Sequence, residues 1–72
     1  MKNQSKKMSI RNQLAGKIVE LTKGKVVSEV VVRTAAGDVA SIITTGSVKQ
    51  MKLKKGDKVS VMVKATEAFI QK

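Results

Sequence analysis

The amino-acid sequence predicts an all-β fold, a small five-stranded Greek-key barrel with one short helical turn after the third strand. Three observations carry this. The apolar residues are nearly all Val, Ile, Ala, Leu and Met, gathered into short β-branched segments. Glycine-containing turn signals separate those segments. Only one stretch, following the third segment, has a helical pattern.

The elements follow in order. Residues 1–8 are polar and basic without periodicity, and read as a flexible tail; Met8 is a possible alternative start. A single domain is expected over residues 9–72. Gly16 to Thr22 reads as a first strand, and Lys23-Gly24-Lys25 as a turn. Val26 to Thr34 alternates imperfectly, with Val26, Ser28, Val30 and Val32 on one face and Val27, Glu29, Val31 and Arg33 on the other. Valine on both faces predicts a strand covered on both sides, by the barrel interior and by a neighbouring subunit. Ala36-Gly37-Asp38 closes a hairpin into Val39 to Thr44. Thr45 to Met51 is the helical turn, with Ser47 placed as its N-cap. Leu53 to Asp57 is a turn leading into a strand over Lys58 to Lys64, where Val59, Val61 and Val63 share one face. Ala68 to Gln71 would be the fifth strand. The pattern fits an OB-like barrel.

Composition narrows the function. A chain of 72 residues forms one domain and buries only about 60% of its unfolded surface, so oligomerisation is the expected supplement. It contains no cysteine and no histidine, which removes disulfides, thiolate metal sites and the usual general base. The net charge is +10, from 15 basic and 5 acidic residues, which predicts an attraction to anions. No apolar run approaches the roughly 20 residues of a membrane span, and the N-terminus has no apolar signal-peptide core. The cytoplasm is therefore the expected compartment.

Three separated groups of hydrogen-bond donors point to a site for a deprotonated oxyanion: Ser9 to Leu14, Thr44 to Ser47, and Lys64 to Thr66. A tetrahedral dianion has acceptor oxygens and no proton, so a selective site holds donors and excludes carboxylates. Arg11 offers paired planar donors. Ser9, Thr44, Ser47 and Thr66 offer hydroxyls, and Lys64 a compact charge. Backbone N–H groups at the helix start and around Ala65 could complete a cage. Each residue also has an ordinary reading. Ser47 could serve only as a cap, Lys64 could be a solvated face residue, and Arg11 with Asn12 could be surface or a lock between subunits.

The segment Ser9-Ile10-Arg11-Asn12-Gln13-Leu14-Ala15-Gly16-Lys17-Ile18 resembles the opening motif of the molbindins, the stand-alone molybdenum-pterin-binding or TOBE-type proteins. Ile43 to Val48, Leu53 to Val59 and Val63 to Glu67 resemble later family motifs, in order, so the likeness spans Met8 to Gln71. The resemblance implies a five-stranded OB-like fold assembled as a homo-oligomer, a hexamer built as a trimer of dimers. It implies oxyanion sites at subunit interfaces, with no bond from protein to metal. Ser9 and Arg11 would reach the anion from one subunit, and Thr44, Ser47, Lys64 and Ala65 would cup it from another. The implied role is intracellular binding, storage or buffering of molybdate, with tungstate as a close mimic, and no pterin site is expected. Ile10 departs from the smaller residue usual in the family, and the charge is high for it.

The main rival is a small OB-like nucleic-acid-binding module. Charge favours it, but a single aromatic residue, Phe69, is a poor platform for base stacking. Weak, salt-sensitive binding remains compatible with the lysines. A second rival is a ligand-sensing accessory domain acting on a partner in trans. An enzyme is not expected, because Glu20, Glu29, Asp38, Asp57 and Glu67 form no pair with a recognisable role.

Overall fold

The structure, a computed structural model, describes residues 10–72. The expected tail and Ser9 lie outside the described residues. Four strands and a helix follow in order: β1 (Asn12–Lys23), β2 (Val27–Thr34), β3 (Gly37–Thr44), α1 (Thr45–Met51) and β4 (Lys58–Val63), then a 3-10 turn over Ala65–Glu67. The strands form one antiparallel sheet in the order β3-β2-β1-β4.

β1 organises this sheet. Its first half pairs with β4, from Asn12 opposite Val63 to Lys17 opposite Lys58. Its second half pairs with β2, from Gly16 opposite Thr34 to Lys23 opposite Ser28, with a bulge between Ile18 and Glu20. Only Gly16 and Lys17 have partners on both sides. A Cβ at Gly16 would run into the Arg33 carbonyl oxygen and lie 2.7 Å from Val32 Cγ1, so the close approach of β1 and β2 depends on glycine there. A bulge bends and twists its strand, which lets one strand serve two neighbours in a curled sheet.

The core is small. Ile18, Val30, Val32 and Val48 are the buried apolar residues, with Leu21, Ile43, Leu53, Val59 and Val61 packed partly buried around the sheet cluster. Ser28 and Thr45 are buried with them. Thr45 Oγ1 donates to the Gly24 carbonyl at 2.8 Å, so the 2.7 Å contact with Ser28 uses the Ser28 proton. These bonds fasten the start of α1 to the β1–β2 turn, together with the Thr45 N–H on the Val26 carbonyl.

The turn before β4 is held by Asp57. Its carboxylate accepts from the Lys54 N–H and from Lys54 Nζ, each at 3.0 Å. Those bonds, the side chain first, hold its carboxyl below the usual carboxylate range. The Asp57 carbonyl in turn accepts from the Ile18 N–H at 2.9 Å, beside the bulge.

Several expectations are corrected. Ala68 to Gln71 is not a strand; it has no ladder partner among the described residues, and Phe69 and Ile70 are 87% and 94% exposed. The helix cap is Thr44, not Ser47, because the chain turns helical three residues earlier than the apolar pattern suggests. Within one chain β2 buries one face; cover of the other was expected from a neighbouring subunit. Ser28, Val30 and Val32 are buried, whereas Val27 is half exposed and Val26 lies outside the strand. The helix after the third strand and the pattern of Val59, Val61 and Val63 stand as expected. No helix among the described residues is long and apolar enough to cross a membrane.

Two outcomes check this account. Gly16→Ala should destabilise the chain by about 1–3 kcal/mol, read from denaturant midpoints. Because the Asp57 carboxyl is depressed in the fold, its stabilisation is present above the unfolded value and lost as pH falls through the lower folded one. Thermal midpoints should therefore drop below about pH 4, and Asp57→Asn should flatten that dependence.

Candidate oxyanion site

The predicted donors fall into two groups. The first lies where β1 begins and β4 ends. Asn12 is paired with Val63, and its side-chain Nδ2 donates to the Val63 carbonyl at 3.1 Å. The next residues outward on the two strands are Arg11 and Lys64, both exposed. Ala65 opens the 3-10 turn immediately beyond, so its N–H is of the kind a helix start leaves without an internal partner. Thr66 follows in the same turn. Neither Arg11 nor Lys64 has an ion-pair partner; among the described residues the ion pairs are Arg33–Asp38 and Lys54–Asp57.

The second group lies at the junction of β3 and α1. Thr44 Oγ1 accepts from the Ser47 N–H at 3.0 Å and donates to Ser47 Oγ at 2.8 Å. The Thr44 proton is thereby used within the cap. Ser47 Oγ accepts that proton, which leaves its own hydroxyl hydrogen free to point outward. Of the two hydroxyls expected to bind, Ser47 is the available donor and Thr44 the residue that orients it.

Register keeps the groups apart. Thr44 pairs with Val27 at the end of the sheet where β1 finishes at Lys23, while Arg11 stands before the other end of β1. β1 has 12 residues, about 40 Å of contour at 3.3 Å per residue. Arg11, Lys64 and Ala65 are thus neighbours within one chain, and Thr44 with Ser47 are not part of that group. The expected partition, which set Lys64 and Ala65 with Thr44 and Ser47, would draw on residues from both ends of β1.

Sequence reasoning missed one feature. Lys17 faces Lys58 across one ladder and Arg33 across the other, beside a shallow groove lined also by Ala15, Gly16 and Ser60. Like charges directly opposite each other are unfavourable. Asp38 answers Arg33 alone, through bonds of 2.9 and 3.0 Å. Those bonds depress the Asp38 carboxyl and raise the guanidinium. Only the strand register reveals this row. Among the described residues no group of three His, Cys, Asp or Glu could hold a metal ion.

A family model for the TOBE domain matches residues 8–70. The chain belongs to the TOBE-domain family. Molybdenum-pterin-binding protein 2 of Clostridium pasteurianum is 44% identical over 64 residues, covering 88% of this chain and 94% of the relative. A solved molybdate binding protein from Sporomusa ovata superposes with a TM-score of 0.87 at 37% identity, over 90% of this chain and 97% of that one. The cytoplasmic molybdate-binding protein ModG, solved with molybdate bound, gives a TM-score of 0.79 at 31% identity, over 83% of this chain and 43% of that one. These relatives are described as binding proteins.

In this TOBE chain the two hydroxyls can be separated by substitution. Thr44→Ala should cost about 1 kcal/mol in unfolding free energy by uncapping α1. Ser47→Ala, which leaves the Thr44 bond to the Ser47 N–H intact, should cost clearly less in the same denaturation experiment.

Proposed function

We propose that this chain binds, stores and buffers molybdate inside the cell, with tungstate as a close mimic. The anion is held at interfaces between copies of a homo-oligomer, a hexamer built as a trimer of dimers, by hydrogen bonds and positive charge without a protein–metal bond. The supporting observation is the separation of the donors: Arg11, Lys64 and Ala65 stand at one end of β1, Thr44 and Ser47 at the other. An anion that uses both groups draws on two copies. Ser9, outside the described residues, would join the Arg11 end.

The chemistry of the donors supports the choice of ligand. Arg11 can meet two oxygens at once, Lys64 adds a point charge, and Ser47 and the Ala65 N–H add neutral donors. No carboxylate is among them. Molybdate near neutral pH has nothing to donate, whereas monohydrogen phosphate carries a proton that needs an acceptor. A pterin is not part of the proposal, since no aromatic side chain stands among the donors to stack on it. In the assembly the four-stranded sheet is completed as an OB-like barrel.

A second reading has one observation in its favour. The row of Arg33, Lys17 and Lys58 suits a phosphate backbone, and it would give weak oligonucleotide binding that falls steeply with salt.

Arg11→Ala should lower molybdate affinity at least about tenfold, the loss of one charged hydrogen bond or more, while the oligomer keeps its mass. Titration calorimetry with light scattering measures both, and unchanged affinity removes Arg11 from the site. In competition experiments at neutral pH, molybdate and tungstate should outbind sulfate, and sulfate phosphate. Equal phosphate affinity would contradict the donor-only site.

A further inference from the structure

Three cations stand in line across the outer face of the sheet. Lys58 on β4 lies opposite Lys17 on β1, and Lys17 lies opposite Arg33 on β2. All three are exposed, while the residues next to them, Val59, Ile18 and Val32, pack in the core, as alternation along a strand requires. Residues directly opposite in an antiparallel pair stand about 5 Å apart, so the row is roughly 10 Å long at its base. Like charges so placed repel. Among the described residues the ion pairs are Arg33–Asp38 and Lys54–Asp57, which leaves Lys17 and Lys58 uncompensated. The row costs the free chain stability, and a bound polyanion would relieve it.

Beside the row the surface is low. Ala15 and Ser60 face each other two residues along the same ladder, and β2 stops at Thr34, opposite Gly16. The result is a shallow groove of about 640 Å³ with small residues on its floor and the three cations beside them. Its lining includes the Ser60 hydroxyl, a neutral donor, and no carboxylate. A second groove begins at Arg33 and holds Lys55, but Glu20 and Asp38 line it too. The carboxylate-free charge therefore ends at Arg33.

These features select among polyanions. One strand of a duplex carries a phosphate per about 3.4 Å of axis, so a row of roughly 10 Å faces about three of them. Acidic side chains on a protein surface are seldom packed so densely, because they repel one another as well. Single strands are held by stacking bases on aromatic rings, and no aromatic residue lines this groove. A duplex keeps its bases stacked inside and offers its backbone to charge and hydrogen bonds.

Resting on the second reading of this row given above, we propose that the face is a sequence-independent site for the phosphate backbone of duplex nucleic acid, and that Asp38 restrains it. The two Asp38 carboxylate oxygens accept from Arg33 Nε and Nη2 at 2.9 and 3.0 Å, the paired donors that a phosphate would take. The carboxylate is an internal competitor for one of the three cations. Lys17 and Lys58 make the first contacts, and Arg33 joins when a phosphate displaces Asp38. The site shares no residue with the oxyanion donors.

Fluorescence anisotropy of the full chain with a labelled DNA duplex of mixed sequence, from about 50 to 200 mM salt, tests this. The log of the affinity should fall linearly with log salt. Lys17→Gln with Lys58→Gln should lower affinity at least about tenfold at low salt and reduce the slope by at least about 1.8, two phosphate contacts. Lys23→Gln with Lys25→Gln, the same charge change at the other end of β1 and its turn, should keep the slope. Asp38→Asn should bind more tightly and steepen the slope by about 0.9, one further phosphate, whereas Glu29→Gln, equal in charge, should not. Equal losses in the two lysine pairs would mean diffuse attraction and would overturn the site. Unchanged or weaker binding by Asp38→Asn would overturn the restraint. Tighter binding of the single strand, or of poly-glutamate, would overturn the duplex assignment; the single-strand result would leave the oligonucleotide reading standing, and no binding of either nucleic acid would remove both. Molybdate affinity should be the same in the Lys17 and Lys58 double variant, so this site and the oxyanion site fail separately.

Discussion

Everything in this fold depends on β1 serving two neighbours at once. Its first half belongs to β4 and its second to β2, and the handover occurs at Gly16 and Lys17, followed at once by the bulge. Without glycine at the crossing the Arg33 carbonyl could not approach, and without the bulge the strand would run straight past one of its partners. Ile18, just beyond the crossing, is almost completely buried and ties the sheet to the Gly56–Asp57 turn through both its backbone groups.

That geometry turns a list of donors into a statement about assembly. Arg11 and Lys64 lie at the same end of the sheet because β1 and β4 pair there; Thr44 and Ser47 meet because β3 runs directly into α1. Neither group alone surrounds an anion. Acidic residues, meanwhile, are kept where they serve the fold. Asp57 holds the turn before β4 and Asp38 neutralises Arg33, so neither competes for the free cations Arg11 and Lys64. A chain of high positive charge thus reserves uncompensated donors at the two ends of β1.

Much of this was legible in the sequence. β-branched segments between glycine turns located four strands to within a few residues, and the single helical pattern located α1, because these signals are local. Ala68 to Gln71 was expected as a fifth strand, and among the described residues it joins no ladder. Pairing depends on where a partner edge lies, which alternation within five residues does not encode. Ser47 was misread as the cap because the first buried position of the helix is Thr45, a polar residue held by Ser28 and Gly24, which an apolar pattern overlooks. The donors of the site could be named from residue type, yet their grouping could not. Ladder register sets Lys64 beside Arg11 within one chain, and the row of Arg33, Lys17 and Lys58 was hidden for the same reason.

The central claim is that one copy of the chain cannot enclose the anion. Native mass spectrometry of the intact chain, titrated with molybdate, tests it most directly by reporting subunit number and bound anion in the same peak. The account predicts that molybdate appears only on multimers and is missing from any monomer present. A monomer that carries one molybdate at low anion concentration would contradict it.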